Sequence, residues 1–198
     1  MLINRPAPRC GKTRLLECLE LTVNRPRWAS NISEAGLFRL IEKEKPTLLL
    51  AEAETLNNKG ERAEYLRQIL NAGNRRGAKV TRCVGKGTEM DVRDFSVFCP
   101  KVFAGIGTFP QTITDRAIVI PMQRRQSTEN VERFLYRRAE PDCTPTKDSA
   151  KEFMKLRREE IIATYDQTEL DFISDRDAEA WHHCSQFWQL QIRADSPS

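Results

Sequence analysis

The hydrophobic pattern along the chain changes period several times, and each change predicts an element. Leu2-Ile3-Asn4 reads as the end of a strand, followed by a loop from 5 to 11 that holds Pro6 and Pro8. Behind Lys12, the apolar residues Leu15, Leu16, Leu19 and Val23 recur at helical spacing, and Pro26 ends that helix. Asn31-Ile32-Ser33-Glu34 has the form of a capping box, with Ser33 as a competing cap, ahead of a helix carrying Leu37, Phe38, Leu40 and Ile41. Pro46 stops this second helix. The next run, Thr47-Leu48-Leu49-Leu50-Ala51, is apolar without alternation, as expected of a strand covered on both faces of a parallel sheet.

Residues 61–72 predict a helix with Tyr65, Leu66, Ile69 and Leu70 inward, broken by Gly73 and Gly77. Residues 78–84 and 92–98 are strand-like and flank Gly85-Lys86-Gly87, which predicts a β-hairpin. Residues 101–106 and 117–120 read as short buried strands, with turns marked by Gly105, Gly107 and Pro110. After Met122 the strand pattern ceases. Residues 129–138, 149–165 and 175–190 have helical spacing, and 141–148 reads as a loop. The order predicts a three-layer α/β core over 1–125 and a helical C-terminal lid or extension over 126–198.

Composition narrows the class without naming a function. Hydrophobic residues are 39% and charged residues 30% of 198, which fits a globular protein. No apolar run approaches the roughly 20 residues of a membrane span, and the opening six residues turn polar too soon for a secretory signal. A cytoplasmic protein with no membrane partner is the expectation. The six cysteines include no CxxC pair, so free thiols are expected rather than a zinc site or a disulfide framework. Adjacent residues on a helix point in different directions, which leaves His182-His183-Cys184 short of a zinc ligand set. The net charge of +4 is mild, but from Tyr65 through Thr88 no acidic residue occurs, while Arg67, Arg75, Arg76, Lys79, Arg82 and Lys86 do. Such a stretch suits a phosphate backbone, and it also suits a solvated basic face.

The chemistry-bearing segment is Arg9-Cys10-Gly11-Lys12-Thr13-Arg14, between a strand and a helix. A phosphate-binding loop uses glycine so that backbone amides can close on the phosphates. It uses lysine to reach the outer phosphates and a hydroxyl to bind Mg²⁺; the helix start adds free N–H groups and a positive dipole end. The position five before Gly11, where that pattern has glycine, is Pro6. A second signal lies at the end of the 47–51 run. A nucleotide-hydrolysing strand ordinarily ends in Asp-Glu, the Asp on the Mg²⁺ shell and the Glu polarising the attacking water. Here Ala51 stands in the Asp position and Glu52 in the Glu position, with Glu52 or Glu54, two residues further along, as a partial substitute for the missing Asp.

Six segments, CGKTRLLE at 10–17, NISEAGLFRLIE at 31–42, PTLLLAEAET at 46–55, LNAGNRRG at 70–77, FSVFCPKVFAGIG at 95–107 and FPQTITDRAIVIPMQRR at 109–125, carry a resemblance. In this order and spacing they resemble the P-loop ATPase domain of a domain-of-unknown-function family found in phage, plasmid and bacterial-island primase- and helicase-like proteins. Members of that family are similar to AAA+ and superfamily-three helicases. FISDRDAEAW at 172–181 resembles the helical segment that follows in the family. The chain begins almost on the loop, so the resemblance also implies family sequence missing upstream.

The resemblance implies a P-loop core of the AAA+ and superfamily-three type, with a hairpin before the sensor-1 strand and a helical lid. Arg9, Cys10, Gly11, Lys12, Thr13 and Arg14 would contact the nucleotide, and Thr108 would be the polar group at the end of the sensor-1 strand. Thr13 and Glu52 would serve the metal, and Glu52 and Arg116 would be catalytic, Arg116 as a finger toward a neighbouring subunit. The alternative for Arg116 is a salt bridge with Asp115 or Glu129, and Arg124 and Arg125 are second candidates for the finger. Arg176 would be a contact from the lid or part of a helix start beside Asp175. The hairpin would track DNA with Lys86 at its tip and Arg82 and Arg75 in support, or else be a lysine-protected sheet edge. The implied function is an ATP- and Mg²⁺-dependent motor on single-stranded DNA, built as a homo-oligomeric ring and associated with a primase. With Ala51 in the Asp position, a nucleotide-binding subunit that does not hydrolyse, or a degenerate remnant, is the other reading.

Overall fold

The strand Thr47–Leu50 (β3) is buried at all four positions, and the rest of the fold is the means of covering it. The structure is a computed structural model that describes residues 1–5, 10–30, 32–75, 77–85 and 90–167. In chain order its elements are β1 (Leu2–Arg5), α1 (Lys12–Thr22), β2 (Pro26–Trp28), α2 (Glu34–Glu44), β3, a 3-10 turn (Ala53–Asn57), α3 (Glu61–Ala72), β4 (Lys79–Val84), β5 (Asp91–Ser96), β6 (Lys101–Ile106), α4 (Gln111–Thr114), β7 (Val119–Pro121), α5 (Tyr136–Leu156) and α6 (Arg158–Gln167).

Five strands form one sheet in the order β2-β3-β6-β1-β7, and all four pairings are parallel. The crossover from β1 runs toward the β2 edge, whereas those from β2, β3 and β6 run the opposite way. Parallel crossovers are right-handed, so α1 must lie on one face and α2, α3 and α4 on the other. The packing agrees. Leu2, Leu48, Leu50 and Phe103 point into a cluster with Leu37, Phe38 and Ile41 of α2, Ile69 and Leu70 of α3 and Ile113 of α4. Their strand neighbours Ile3, Leu49, Val102 and Ala104 point the other way, against Leu16 of α1. This is the three-layer α/β arrangement the sequence predicts. Each fully buried Leu or Ile contributes about 1.5–3 kcal/mol.

Local chemistry explains most boundaries. Ser33 caps α2, its hydroxyl accepting from the Gly36 N–H at 3.1 Å; the competing cap is thus the one used, and Asn31 lies outside the described residues. The hairpin is present, with β4 and β5 antiparallel and Val80 opposite Phe95.

Three expectations are corrected. Pro26 does not simply end a helix; it opens β2, an edge strand, where its missing N–H costs no ladder bond. Residues 129–135 are not helical. The loop expected at 141–148 is instead the interior of α5, which runs through Pro141 and Pro145. Each internal proline forfeits a backbone bond and costs on the order of 3 kcal/mol. The helix is held by packing on α1, with Arg14 over the ring of Phe134, in the segment leading into it, at 5.9 Å. Among the described residues, no helix is long and apolar enough to cross a membrane.

Lys101 locks the end of α3 to the start of β6. Its ammonium donates to the carbonyls of Gly73 and Cys99. A side chain at Gly73 would stand 2.1 Å from the Val97 carbonyl oxygen, so only glycine lets the helix end this close. Burial depresses the Lys101 pKa from its ordinary value of 10.5. The unfolded chain then binds more protons than the folded one between the depressed value and 10.5, so this residue's contribution to stability rises with pH through that window and is lost as pH falls through the folded value. Lys101→Met should destabilise the fold by about 1–3 kcal/mol by orphaning two carbonyls. The gap between wild type and variant in urea titrations should widen as pH approaches 10.5; a gap independent of pH would show that the ammonium is not buried in the native state.

Candidate functional site

Parallel α/β sheets bind ligands beyond the carboxyl ends of their strands, where neighbouring crossovers diverge. In this sheet the crossovers leaving β1 and β6 run in opposite directions, so the crevice lies beyond Arg5 and Ile106, which are paired. The chain leaving β1 returns at Cys10 and Gly11 and starts α1 at Lys12; Arg9 lies outside the described residues. Gly11 has φ +83°, the left-handed region that favours glycine. It provides no side-chain cap, and the start of a helix leaves its first N–H groups without intrahelical partners. Cys10 is buried, and Lys12 lies back over it, Nζ to Sγ 3.7 Å. Thr13 is exposed beside it. Asn4, near the end of β1, has a buried Oδ1 without a hydrogen-bond partner among the described residues.

Thr108 follows Gly107 (φ +83°) at the end of β6, with its side chain exposed. Its carbonyl accepts from Asn57 Nδ2. Gly11, Lys12, Thr13 and Thr108 therefore share the strand-end side of the sheet. Arg14 does not face it: its guanidinium pairs with Glu17 at 2.6 Å and covers Phe134, which ties α1 to the segment leading into α5. Arg116 is exposed past α4, its Nη1 donating to the Thr112 carbonyl at 2.8 Å.

The acidic stretch after β3 divides. Ala51 packs toward the α1-side core. Glu52 is exposed in the left-handed conformation, φ 55°, a position rarely taken without glycine or asparagine. It lines a cleft of about 560 Å³ together with Ser30, Ile32, Leu50, Asn58 and Gly60. That cleft lies toward α2 and α3, and Gly11, Lys12 and Thr13 are not in its wall. Glu54 returns to the crevice: its Oε2 accepts from the Ile106 N–H at 3.1 Å. The sequence offers Glu54 as a partial substitute for the missing Asp, and the structure gives its direction: onto β6, where Gly105 leaves room for it. Among the described residues no three His, Cys, Asp or Glu gather to hold a metal.

The basic stretch is changed most by the fold. Arg82 pairs with Glu34 of α2 at 2.7 Å and lies over the Phe38 ring at 5.9 Å. Arg93 reaches Glu42 at 3.3 Å, Lys79 meets Asp94 at 3.8 Å, and Arg67 meets Glu64 at 2.6 Å. The hairpin is thereby clamped to α2, with Phe38 and Phe95 in contact at 4.5 Å between ring centroids. Arg75 is exposed at the α3 end and engaged in an interaction of its own. Lys86, Arg176 and His182-His183-Cys184 lie outside the described residues. Arg82→Ala should destabilise the protein by about 1 kcal/mol through lost packing and pairing. A double-mutant cycle with Glu34→Ala, read by denaturant unfolding, should give a coupling of about 0.5–1 kcal/mol; zero coupling would make the pair incidental.

No protein-family model matches the chain, and no curated protein matches it.

Proposed function

We propose that this chain is a nucleotide-binding module of P-loop type, similar to AAA+ and superfamily-three helicases, that binds ATP with Mg²⁺ and acts as an ATP-driven motor on single-stranded DNA. One observation carries the reading. The Gly11-Lys12-Thr13 segment opens α1 from a left-handed, uncapped glycine, beside the point where the β1 and β6 crossovers diverge. In this reading Lys12 and the first N–H groups of α1 hold the phosphates, and the Thr13 hydroxyl reaches the ion. Thr108 stands at the far wall. Arg116, exposed at the rim, would act across a subunit interface in a homo-oligomeric ring.

The DNA part of the proposal rests on the hairpin. Its shaft residue Arg82 serves the clamp to α2; Lys86 at the tip would be the main contact to a backbone with Arg75 in support, and a primase would be the companion of such a motor.

A second reading, a nucleotide-binding subunit without turnover, is favoured by Ala51 and by the direction of Glu52, which lines the cleft on the α2 side. Phosphate release from Mg-ATP, with and without single-stranded DNA, separates the two.

Lys12→Ala should weaken ATP binding at least tenfold in calorimetry, since the phosphates lose their main cation; equal affinity in both proteins would remove the P-loop assignment. Lys86→Ala should lower affinity for single-stranded DNA and reduce the slope of log affinity against log salt by about 0.7 per lost contact. ATP binding should be unchanged, and an unaltered slope would leave the hairpin as a sheet edge.

A further inference from the structure

Hydrolysis of a phosphoanhydride needs a carboxylate near the attacking water, and the sequence pattern puts that duty on position 52. The fold sends Glu52 elsewhere. The left-handed backbone at Glu52 turns the chain into the 3-10 turn Ala53–Asn57, and this turn is pinned to β6 at both ends. At one end Glu54 Oε2 accepts the Ile106 N–H at 3.1 Å; at the other Asn57 donates to the Thr108 carbonyl. The space for the Glu54 carboxylate is built in. A Cβ at Gly105 would lie 2.5 Å from Glu54 Oε2, 2.5 Å from the Phe109 ring and 3.0 Å from the Glu54 nitrogen. No side chain can stand at 105 while the carboxylate is there. Ile106 pairs with Arg5, the last residue of β1. The carboxylate is therefore seated at the end of the strand next to the one that leads into Gly11 and Lys12, on the side of the sheet that Phe103 and Phe109 share. An ionised carboxylate has about four acceptor positions, and the Ile106 N–H takes one of them.

We propose that Glu54, not Glu52, is the carboxylate that serves the nucleotide site, accepting the proton of the attacking water. The inference rests on the nucleotide-binding reading above. In the step, the water oxygen bonds to the γ-phosphorus and the bond from that phosphorus to the bridging oxygen breaks. The bridging oxygen leaves with its electron pair on ADP. Glu54 takes one water proton and releases it to solvent, so ATP and water give ADP, phosphate and a proton. The N–H of Ile106 holds the carboxylate in one orientation throughout, which is how a fixed dipole contributes without reorganising.

The test compares wild type, Glu54→Gln and Glu52→Gln as full chains. ATP affinity is measured by calorimetry and turnover by phosphate release, with melting temperatures recorded. A glutamine at 54 keeps an amide oxygen for the Ile106 N–H, so the fold should persist. Glu54→Gln should lower turnover at saturating ATP about 100-fold or more, the usual loss for a proton-accepting group, with ATP affinity within threefold of wild type. Glu52→Gln should stay within threefold of wild type in both measurements. Should Glu54→Gln melt early, Glu54→Asp replaces it, retaining the charge while withdrawing it by one methylene; turnover should still fall at least tenfold with binding intact.

Wild-type turnover in either Glu54 variant overturns the proposal, as does a loss in Glu52→Gln as large as that in Glu54→Gln. ATP binding without phosphate release by the wild type also overturns it, while leaving the nucleotide-binding reading in place. Absence of ATP binding overturns both.

Discussion

All five strands of the sheet run in one direction, so none can be joined to its neighbour by a tight turn, and every link must cross a face of the sheet. The handedness of those crossings then determines the layers. One crossing runs toward β2 and places α1 by itself; three run toward β7 and place α2, α3 and α4 together. Leu48 and Leu50 therefore need α2 and α3, while Leu49 between them needs α1. The same opposition of directions opens the crevice beyond β1 and β6. Core packing and the candidate site are consequences of one topological fact.

What surrounds the crevice is held by short polar contacts at strand ends. Glu54 on Ile106, Asn57 on Thr108 and Lys101 on Gly73 and Cys99 each join a turn or helix end to β6. Two of these contacts work only because the opposing residue is glycine. Gly105 makes room for a carboxylate and Gly73 for a carbonyl and an ammonium. The central strand thus serves as the reference against which the other elements are positioned, and a small side chain in it or against it is a statement about a polar neighbour.

Charge shows how sequence proximity and spatial proximity diverge. Read in one dimension, residues 65–88 form a cationic stretch without relief. In three dimensions Arg82 and Lys79 meet Glu34 and Asp94, supplied by α2 and by the returning strand of the hairpin. A hairpin brings its second strand's charges beside the first, and a helix packed beneath adds its own. A run of like charges therefore measures the electrostatic field only after folding has brought its partners. The prolines of α5 make the same point for local propensity: Pro141 and Pro145 oppose a helix, and the contact with α1 sustains one.

Much of the architecture was legible in the sequence by itself because period and chain length encode it. The unbroken apolar run at 47–51 announced a strand covered on both sides, the helical spacing behind Lys12 and Glu34 announced crossovers, and Gly85-Lys86-Gly87 announced the hairpin. The glycine at 11, ahead of a lysine at a helix start, was legible too, since a left-handed residue and an uncapped helix are local properties. The tertiary structure alone decided which acidic residue reaches the strand ends, because that depends on the turn Glu52 makes and on a gap left by a residue some fifty positions away. It alone decided that Arg14 and Arg82 hold elements together, for the Phe134 ring and the Glu34 carboxylate they meet come from elsewhere in the chain. Periodicity reports which face of its own element a residue occupies; it contains no term for what another element brings to meet it.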